Sequence, residues 1–272
     1  MTIFIIIITT LILLIGLYFF MIAPRMLRKP EINRFYGYHY AHRGLFDNDS
    51  SAPENSIHAF QLAIDNGYGI ELDVQLTKDN IPVVFHDSTL KRMCNTKGHV
   101  HDYTLKELKE LTLGISNQRI PTLKEALKTI KGATPVIIEF KPYNMPAKLC
   151  NSVWSVLSTY KGPYCMESFH PLMVRWFKKH QPGIVRGQLC MEYWKEPDYK
   201  GQVLYILLSF LITNFLTRPD FISYKHEHYN NISRKLCRKM GATAFAWTIR
   251  SVKEKEDAEP HFDLFIFDSC KL

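Results

Sequence analysis

Two histidines and a set of acidic residues in the first half of the chain have types and spacings that suit acid–base chemistry at a metal ion. His42 and His86 each end an apolar run, and Glu71 and Asp73 lie between them. Imidazole exchanges protons near neutral pH. Clustered carboxylates repel one another unless a proton or a cation lies between them. These residues therefore predict a metal-assisted acid–base site.

The acidic residues recur at a spacing that places side chains on one face of a strand. Glu71 and Asp73 are two positions apart, and so are Glu139 and Lys141 in a later apolar run. Alternate side chains of a strand share a face. A charge inside an apolar strand is costly without a partner. The alternative is that one of Glu71 and Asp73 points outward into a surface salt bridge.

Glu71, Asp73 and Glu139 are the candidate metal ligands. Three carboxylates that converge at strand ends form an all-oxygen site, which suits a hard divalent cation. Zinc would more usually take histidine or cysteine ligands. The expected cofactor is one divalent cation, either Mg²⁺ or Ca²⁺.

His42 and His86 are the candidate catalytic residues. A lone histidine at a strand end is more often a hydrogen-bonded structural residue, but two beside an acidic cluster favour catalysis. Arg43 and Lys141 supply positive charge for a bound anion, and arginine can donate to two oxygens at once. Trp247 ends a later apolar strand and is a candidate for lining a lipid or glycerol pocket, with core packing as the alternative.

Two further features near strand ends are less specific. Asp268 follows the last candidate strand, and its role is left open. The His226-Glu227-His228 segment is interpreted as a loop rather than a ligand pair.

Strands and helices alternate after residue 37, which favours a parallel sheet with helices outside it. The connection 77–80 is too short for a parallel crossover, so the strands on either side of it are expected to form a hairpin. The chain is long enough for one α/β barrel, which typically needs about 250 residues. The candidate strands are residues 38–42, 68–74, 81–86, 135–141, 164–169, 184–189, 220–224, 243–249 and 264–267. The candidate helices include residues 55–66, 104–113, 122–130 and 146–159.

Two segments interrupt this alternation. Residues 88–119 are expected to form a small excursion over the barrel mouth, where substrate-selecting loops lie. Residues 203–216 are apolar, and as one helix they would span about 21 Å, which is too short for a bilayer. This segment is interpreted as an outer helix of the barrel or as a helix that dips into the membrane.

The N-terminus predicts a membrane anchor. Residues 3–23 are almost wholly apolar and carry no charge, and about 20 such residues cross a bilayer. A cleaved signal peptide and a buried helix are the alternatives; no basic residue precedes the run. Arg25, Arg28 and Lys29 follow it and predict a single-pass protein with a cytoplasmic catalytic domain. The expected division is an anchor at 1–24, a linker at 25–37 and a barrel domain at 38–272.

The net charge and the cysteines indicate which classes of binding partner and which thiol state to expect. The formal net charge is +8, but no nucleic-acid recognition motif accompanies it. An anionic membrane surface or a phosphate-bearing substrate explains the charge better. The six cysteines are scattered without a Cys-x-x-Cys pair, so reduced thiols are expected.

Taken together, the motifs of residues 38–141 resemble the glycerophosphodiester phosphodiesterase family. The later half is looser: residues 262–268 lack the glycine-rich segment that the family tends to carry, which leaves the role of Asp268 open. The anchor and residues 203–216 are not part of the resemblance. The motifs that carry it are His42-Arg43-Gly44, Pro53-Glu54-Asn55-Ser56, Glu71-Leu72-Asp73-Val74, Thr77-Lys78-Asp79, His86-Asp87, residues 90–92 and Glu139-Phe140-Lys141.

The resemblance implies a TIM-like (β/α)8 barrel with a small insertion. It implies a divalent metal held by Glu71, Asp73 and Glu139, with His42 and His86 as general acid and base. The reaction it implies is hydrolysis of soluble glycerophosphodiesters. Head-group cleavage from a membrane lipid or lysolipid on the same scaffold is one alternative, and a non-catalytic protein that binds phosphate head groups is another.

Overall fold

The computed structural model describes residues 1–141, 146–199 and 202–272, and these ranges form an α/β barrel behind an N-terminal helix. The strands are β1 (Tyr40–Ala41), β2 (Gly69–Leu76), β3 (Pro82–Val84), β4 (Val136–Phe140), β5 (Tyr164–Ser168), β6 (Arg186–Cys190), β7 (Phe221–Lys225), β8 (Thr243–Ile249) and β9 (Leu264–Phe267). The helices are α1 (Thr2–Ile22), α2 (Ile57–Asp65), α3 (Lys91–Cys94), α4 (Leu105–Leu108), α5 (Leu123–Ile130), α6 (Pro146–Leu157), α7 (Pro171–His180), α8 (Val203–Ser209), α9 (Asn214–Thr217), α10 (Ile232–Lys239) and α11 (Val252–Ala258).

The barrel closes because β1 pairs in parallel with both β2 and β9. Within the described ranges, eight parallel strands follow in the ring order β1-β2-β4-β5-β6-β7-β8-β9. β3 lies outside this ring and pairs antiparallel with β2, with Val84 opposite Val74. The prediction of a TIM-like barrel with one additional hairpin strand is confirmed.

Alternation along β2 determines which residues face the barrel axis. Ile70, Leu72 and Val74 belong to the apolar cluster between the strands and the helices. Because successive side chains point to opposite faces, Glu71 and Asp73 point inward. Both are buried, with relative exposures of 2% and 0%, so the alternative of a surface salt bridge is wrong.

Aromatic rings fill the barrel at the N-terminal ends of its strands. The rings of Tyr40 and Phe245 stack with centroids 6.3 Å apart, and those of Phe245 and Phe221 stack at 4.2 Å. A Cβ on Gly187 would lie 2.0 Å from the Phe221 ring, so this position requires glycine. This aromatic plug leaves only the C-terminal ends of the strands, the barrel mouth, for polar side chains.

Residues 88–119 contain α3 and α4 and have a small apolar core of their own. Leu90, Met93, Val100 and Leu108 are buried in it together with Phe85. The helix predicted over 104–113 ends at Leu108, so that prediction is too long.

The apolar segment 203–216 is not one helix, which corrects the sequence interpretation. It divides into α8 and α9, and Leu211 between them has a positive φ of 58°. Ser209 explains the interruption. Its carbonyl accepts a hydrogen bond from the Tyr224 hydroxyl at 3.0 Å, and its hydroxyl accepts one from the Tyr193 N–H at 3.0 Å. The barrel therefore holds the chain where the helix would have continued.

The last turn of α1 packs against the outer helices of the barrel, whereas residues 2–17 are exposed. Ile22 is fully buried, and its carbonyl accepts hydrogen bonds from Asn214 Nδ2 at 2.8 Å and from the Cys237 thiol at 3.2 Å. Arg218 donates to the carbonyls of Phe20 and Ala23, each at 2.8 Å. As a whole, α1 is apolar and long enough to cross a membrane, a property that signal sequences share.

Candidate active site

The C-terminal ends of β1, β2 and β4 bring the candidate site residues together at the barrel mouth. Glu139 of β4 lies opposite Asp73 of β2 in the strand register. His42 directly follows β1. The Phe85 N–H donates to the Asp73 carbonyl at 3.0 Å, which carries His86 back over the end of β2.

A cavity of about 180 Å³, called here the catalytic cavity, lies between these strand ends. Seven of the eight residues predicted for the site line it, and Asp73 lies beneath, in contact with the lining residues Arg43 and Lys141. The lining residues among the predicted set are His42, Arg43, Glu71, His86, Glu139, Lys141 and Trp247.

Glu71, Asp73 and Glu139 form a compact set of oxygen donors. One carboxylate oxygen from each lies within 4.8 Å of those of the other two. All three residues are buried, and Glu71 Oε1 has no hydrogen-bond partner among the described residues. Burial, followed by repulsion from neighbouring carboxylates, raises the pKa of Glu71 well above its usual value, and burial raises that of Glu139. A bound cation would remove these penalties, so the residues fit a hard divalent ion.

The pKa of Asp73 is lowered despite its burial. Burial alone would raise its pKa, but Lys141, His86 and Arg43 together lower it. Lys141 Nζ lies 3.1 Å from Asp73 Oδ1 and 2.6 Å from Glu139 Oε1. Lys141 therefore adds positive charge directly beside the candidate ligands.

Asn55 and Arg43 fix the other Asp73 oxygen. Asn55 Nδ2 donates to Asp73 Oδ2 at 2.8 Å, and Arg43 Nε lies 3.6 Å from the same atom. The Arg43 backbone N–H donates to Glu71 Oε2 at 3.0 Å. Arg43 and Asn55 both have a positive φ, 59° and 56°, which is uncommon for residues other than glycine. The chain bends sharply here to aim these donors at the carboxylates.

Each candidate catalytic histidine is oriented by a carboxylate. His42 Nδ1 donates to Asp268 Oδ2 at 3.0 Å, and His86 Nδ1 donates to Asp87 Oδ1 at 2.8 Å. With Nδ1 held in this way, proton exchange falls to Nε2 of each ring. Burial and then Arg43 lower the pKa of His42 to about 4, and the hydrogen bond to Asp268 opposes this shift.

A second cluster of possible ligands lies beside the first, but arginine side chains already neutralise its carboxylates. Glu54, His86 and Asp87 also bring one ligand atom each within 4.8 Å of one another. Arg92 contacts both Glu54 and Asp87 at 2.7 Å, and Arg43 donates to Glu54 at 2.8 Å. This group therefore orients Arg43 and His86 rather than offering a metal site.

Sequence reasoning missed several of these supporting residues. The sequence alone leaves the role of Asp268 open, although its place after the last strand puts it beside His42 once β9 pairs with β1. Glu167 is absent from the predicted site residues, yet it lies opposite Glu139 in register and lines the catalytic cavity. Burial and the Glu139 carboxylate raise its pKa. The available signal was a charge inside the apolar run 164–169.

Trp247 lines the catalytic cavity beside Phe169. The two rings meet edge to face, with centroids 5.5 Å apart and an interplanar angle of 89°. They contribute apolar surface to the lining of the cavity.

Comparison with known proteins is consistent with this geometry. A family model described as the glycerophosphoryl diester phosphodiesterase family matches residues 42–260. A glycerophosphodiester phosphodiesterase of Caldanaerobacter subterraneus is 34% identical over 235 residues, covering 80% of this chain and 87% of that protein. Glycerophosphodiester phosphodiesterase 1 of Mus musculus is 25% identical over 265 residues, covering 84% of this chain and 77% of that protein.

Among solved structures, the fold is similar to that of an Oleispira antarctica phosphodiesterase in complex with the product sn-glycerol-3-phosphate. The TM-score is 0.69, and the match covers 86% of this chain and 94% of that one. At 23% sequence identity, this similarity concerns the fold alone.

Proposed function

Because this chain belongs to the glycerophosphodiester phosphodiesterase family and is an enzyme of that class, we propose that it releases glycerol phosphate and an alcohol by metal-assisted acid–base catalysis. One observation carries this proposal: three buried carboxylates and two carboxylate-held imidazoles surround a single cavity. The proposed substrate is a glycerophosphodiester.

The proposed ligands of the divalent cation are Glu71, Asp73 and Glu139, and the all-oxygen donor set favours Mg²⁺ or Ca²⁺. When bound, the ion supplies positive charge to the non-bridging phosphate oxygens. Arg43 and Lys141 contribute to the same field, since both line the catalytic cavity. Trp247 packs against the glycerol part of the substrate.

The two histidines divide the proton transfers. His86 takes the proton of the attacking oxygen, and His42 donates one to the leaving alkoxide. Before substrate binds, burial and Arg43 keep the pKa of His42 low. A phosphodiester anion beside the ring favours the protonated form, so we expect this pKa to rise on substrate binding.

A change of leaving group tests these roles. A nitrophenyl leaving group departs without protonation, so it should restore turnover to a variant that lacks the acid but not to one that lacks the base. We expect His42→Ala to recover on glycerophospho-nitrophenol and His86→Ala to stay inactive. The reverse result would exchange the two roles.

Two attacking groups fit this scheme. Water would give glycerol phosphate directly, whereas the neighbouring glycerol hydroxyl would first give a cyclic phosphate. Phosphorus NMR during turnover distinguishes them, because a cyclic intermediate has its own resonance.

Metal dependence is tested by activity on glycerophosphocholine. A chelator should abolish turnover, and added Mg²⁺ or Ca²⁺ should restore it. Unchanged activity after exhaustive chelation would contradict the proposed ion.

We also propose that α1 is an uncleaved, single-pass membrane anchor with the barrel in the cytoplasm. The support is the burial of Ile22 and the hydrogen bonds that Asn214 and Arg218 make to the end of α1. Removal of a signal peptide would take these contacts away. Mass measurement of the protein from membranes should give the full 31.8 kDa chain, whereas a mass lower by the first 20 or so residues would indicate cleavage.

A further inference from the structure

A second and larger cavity opens directly from the catalytic cavity. Its volume is about 780 Å³, within the range of about 300–1,000 Å³ that small-molecule sites occupy. The two cavities share His86, Glu139, Lys141 and Phe169 as lining residues. A molecule whose phosphodiester lies at the carboxylates could therefore continue into this second cavity, called here the side groove.

The side groove has the chemistry of an apolar ligand site. Beyond the shared residues, its described lining contains no Asp, Glu, Lys or Arg side chain. A charged head group would find no Asp, Glu, Lys or Arg partner in this part of the lining, whereas a hydrocarbon chain needs none. The apolar and aromatic side chains that dominate the lining are Met191, Tyr193, Tyr199, Leu204, Tyr205 and Leu208.

The helix beside the side groove also presents apolar side chains to the outside. Leu204 of α8 lines the side groove and is still 64% exposed. Its neighbours Val203 and Leu207 are exposed as well. Adjacent exposed apolar residues of this kind are typical of a surface that meets another apolar phase.

The direction of α1 shows where a membrane would lie. Tyr18 hydrogen-bonds to Ser233 at 2.6 Å, and the Ile22 carbonyl accepts a hydrogen bond from Cys237. Four residues further along α1, the contact has therefore also moved four residues further along α10. The two helices therefore run in the same direction. α10 follows β7 and starts at the barrel mouth, as helices of a parallel barrel do.

It follows that α1 ends near the aromatic plug and that its N-terminal part points past the mouth. The Arg25 N–H donates to the Pro219 carbonyl at 2.8 Å, just before β7, which places the end of α1 at the N-terminal ends of the strands. The exposed residues 2–17 span about 24 Å beyond this packed end. A bilayer that holds this part of α1 would lie over the barrel mouth, on the side of α8.

We propose that the side groove is an acyl-binding subsite, which receives the chain of a lysoglycerophospholipid from a bilayer lying over the barrel mouth. This inference rests on the proposed function, since the same carboxylates and histidines act on the lipid's phosphodiester. Water adds its oxygen to phosphorus, the bond from phosphorus to the head-group oxygen breaks, and a proton passes to that oxygen. The products are an acylglycerol phosphate and the free head-group alcohol.

The experiment compares two substrates of the purified full-length protein in lipid vesicles: soluble glycerophosphocholine and vesicle-borne lysophosphatidylcholine. Leu204→Asp places a charge at the side groove on an exposed position, so the fold should tolerate it. Leu27→Asp is the matched control, because Leu27 is an exposed leucine at the plugged end of the barrel. We expect Leu204→Asp to lose at least tenfold in kcat/KM on the lysolipid and to keep its rate on glycerophosphocholine, while Leu27→Asp changes neither.

The possible failures can be told apart. A wild-type protein that cleaves glycerophosphocholine but not the lysolipid, or a Leu204→Asp variant that matches the control on the lysolipid, would overturn the acyl subsite alone. A wild-type protein inactive on both substrates would overturn the proposed function instead.

The membrane-facing mouth has a separate readout. Brominated acyl chains should quench the added indole fluorescence of Leu204→Trp, relative to wild type, and should leave that of Leu27→Trp unchanged. Equal quenching of the two variants would contradict a bilayer over the mouth.

Discussion

His42 and His86 show how a single neighbour defines the chemistry of an imidazole. Both rings donate through Nδ1 to a carboxylate, but Asp268 follows the last strand of the barrel whereas Asp87 is adjacent to His86 in sequence. The pairing of His42 with Asp268 therefore exists only when the barrel is closed. Closure of the barrel therefore also orients the ring that we propose as the catalytic acid.

Replacing His42 tests the proposed catalytic role directly. We expect His42→Ala to lower kcat on glycerophosphocholine by about 10²–10⁴-fold, because proton transfer to the leaving group is lost. Circular dichroism and thermal unfolding should stay close to wild type, since the ring lines a cavity. His261→Ala, at the plugged end of the barrel, is the control; near-normal turnover of His42→Ala would end this assignment.

We propose that Asp268 positions His42 for proton transfer, so a variant at Asp268 should alter the pH profile. We expect Asp268→Asn to lower kcat at least about tenfold with little change in KM, because an amide no longer selects the tautomer of His42. Loss of the negative charge also lowers the pKa of His42, so the limb of the pH–rate profile that belongs to this ring should move to lower pH. A profile that keeps its shape would indicate a merely structural role.

The helix caps illustrate sequence features with a local and measurable effect. Thr122 accepts a hydrogen bond from the Glu125 N–H at 3.1 Å, and Glu125 accepts one from the Thr122 N–H at 2.7 Å. We expect Thr122→Ala to cost about 1 kcal/mol of unfolding free energy, or a few degrees in Tm. Thr129→Ala, in the same helix but away from the cap, should have a smaller effect on Tm; equal losses would argue against capping.

Secondary-structure elements could be predicted well where the residues that define their ends are close together in the sequence. The helices predicted from residues 104 and 122 begin there, each capped by its threonine and by a glutamate three residues later. The short connection 77–80 joins an antiparallel pair, as predicted. The interruption of residues 203–216 could not be predicted in this way, because Ser209 is held by Tyr193 and Tyr224 from elsewhere in the fold. Tertiary hydrogen bonds outweighed local apolar content there.

The same distinction applies to the site. Inward carboxylates could be inferred from two-residue spacing, which depends only on strand geometry. Asp268 and Glu167 required knowledge of which strands become neighbours: β9 beside β1, and β5 beside β4. The residue pattern of a single sequence does not show which strands pair.

A bound cation should stabilise the whole fold as well as support turnover. The raised pKa values of Glu71 and Glu139 reflect repulsion and burial that the ion would offset. At 100 times its dissociation constant, a ligand adds about 2.7 kcal/mol. We expect Mg²⁺ or Ca²⁺ to raise Tm by several degrees in wild type and much less in Glu71→Gln, as measured by thermal unfolding; equal shifts in both would contradict the proposed ligand set.

The stacked rings of Tyr40, Phe245 and Phe221 limit the route by which substrate and products enter and leave the enzyme. They close the N-terminal end of the barrel, so substrate and both products have to pass through the barrel mouth. Under the proposed acyl subsite, the head-group alcohol and the acylglycerol phosphate would therefore both leave through this one opening, on the side where the bilayer would lie.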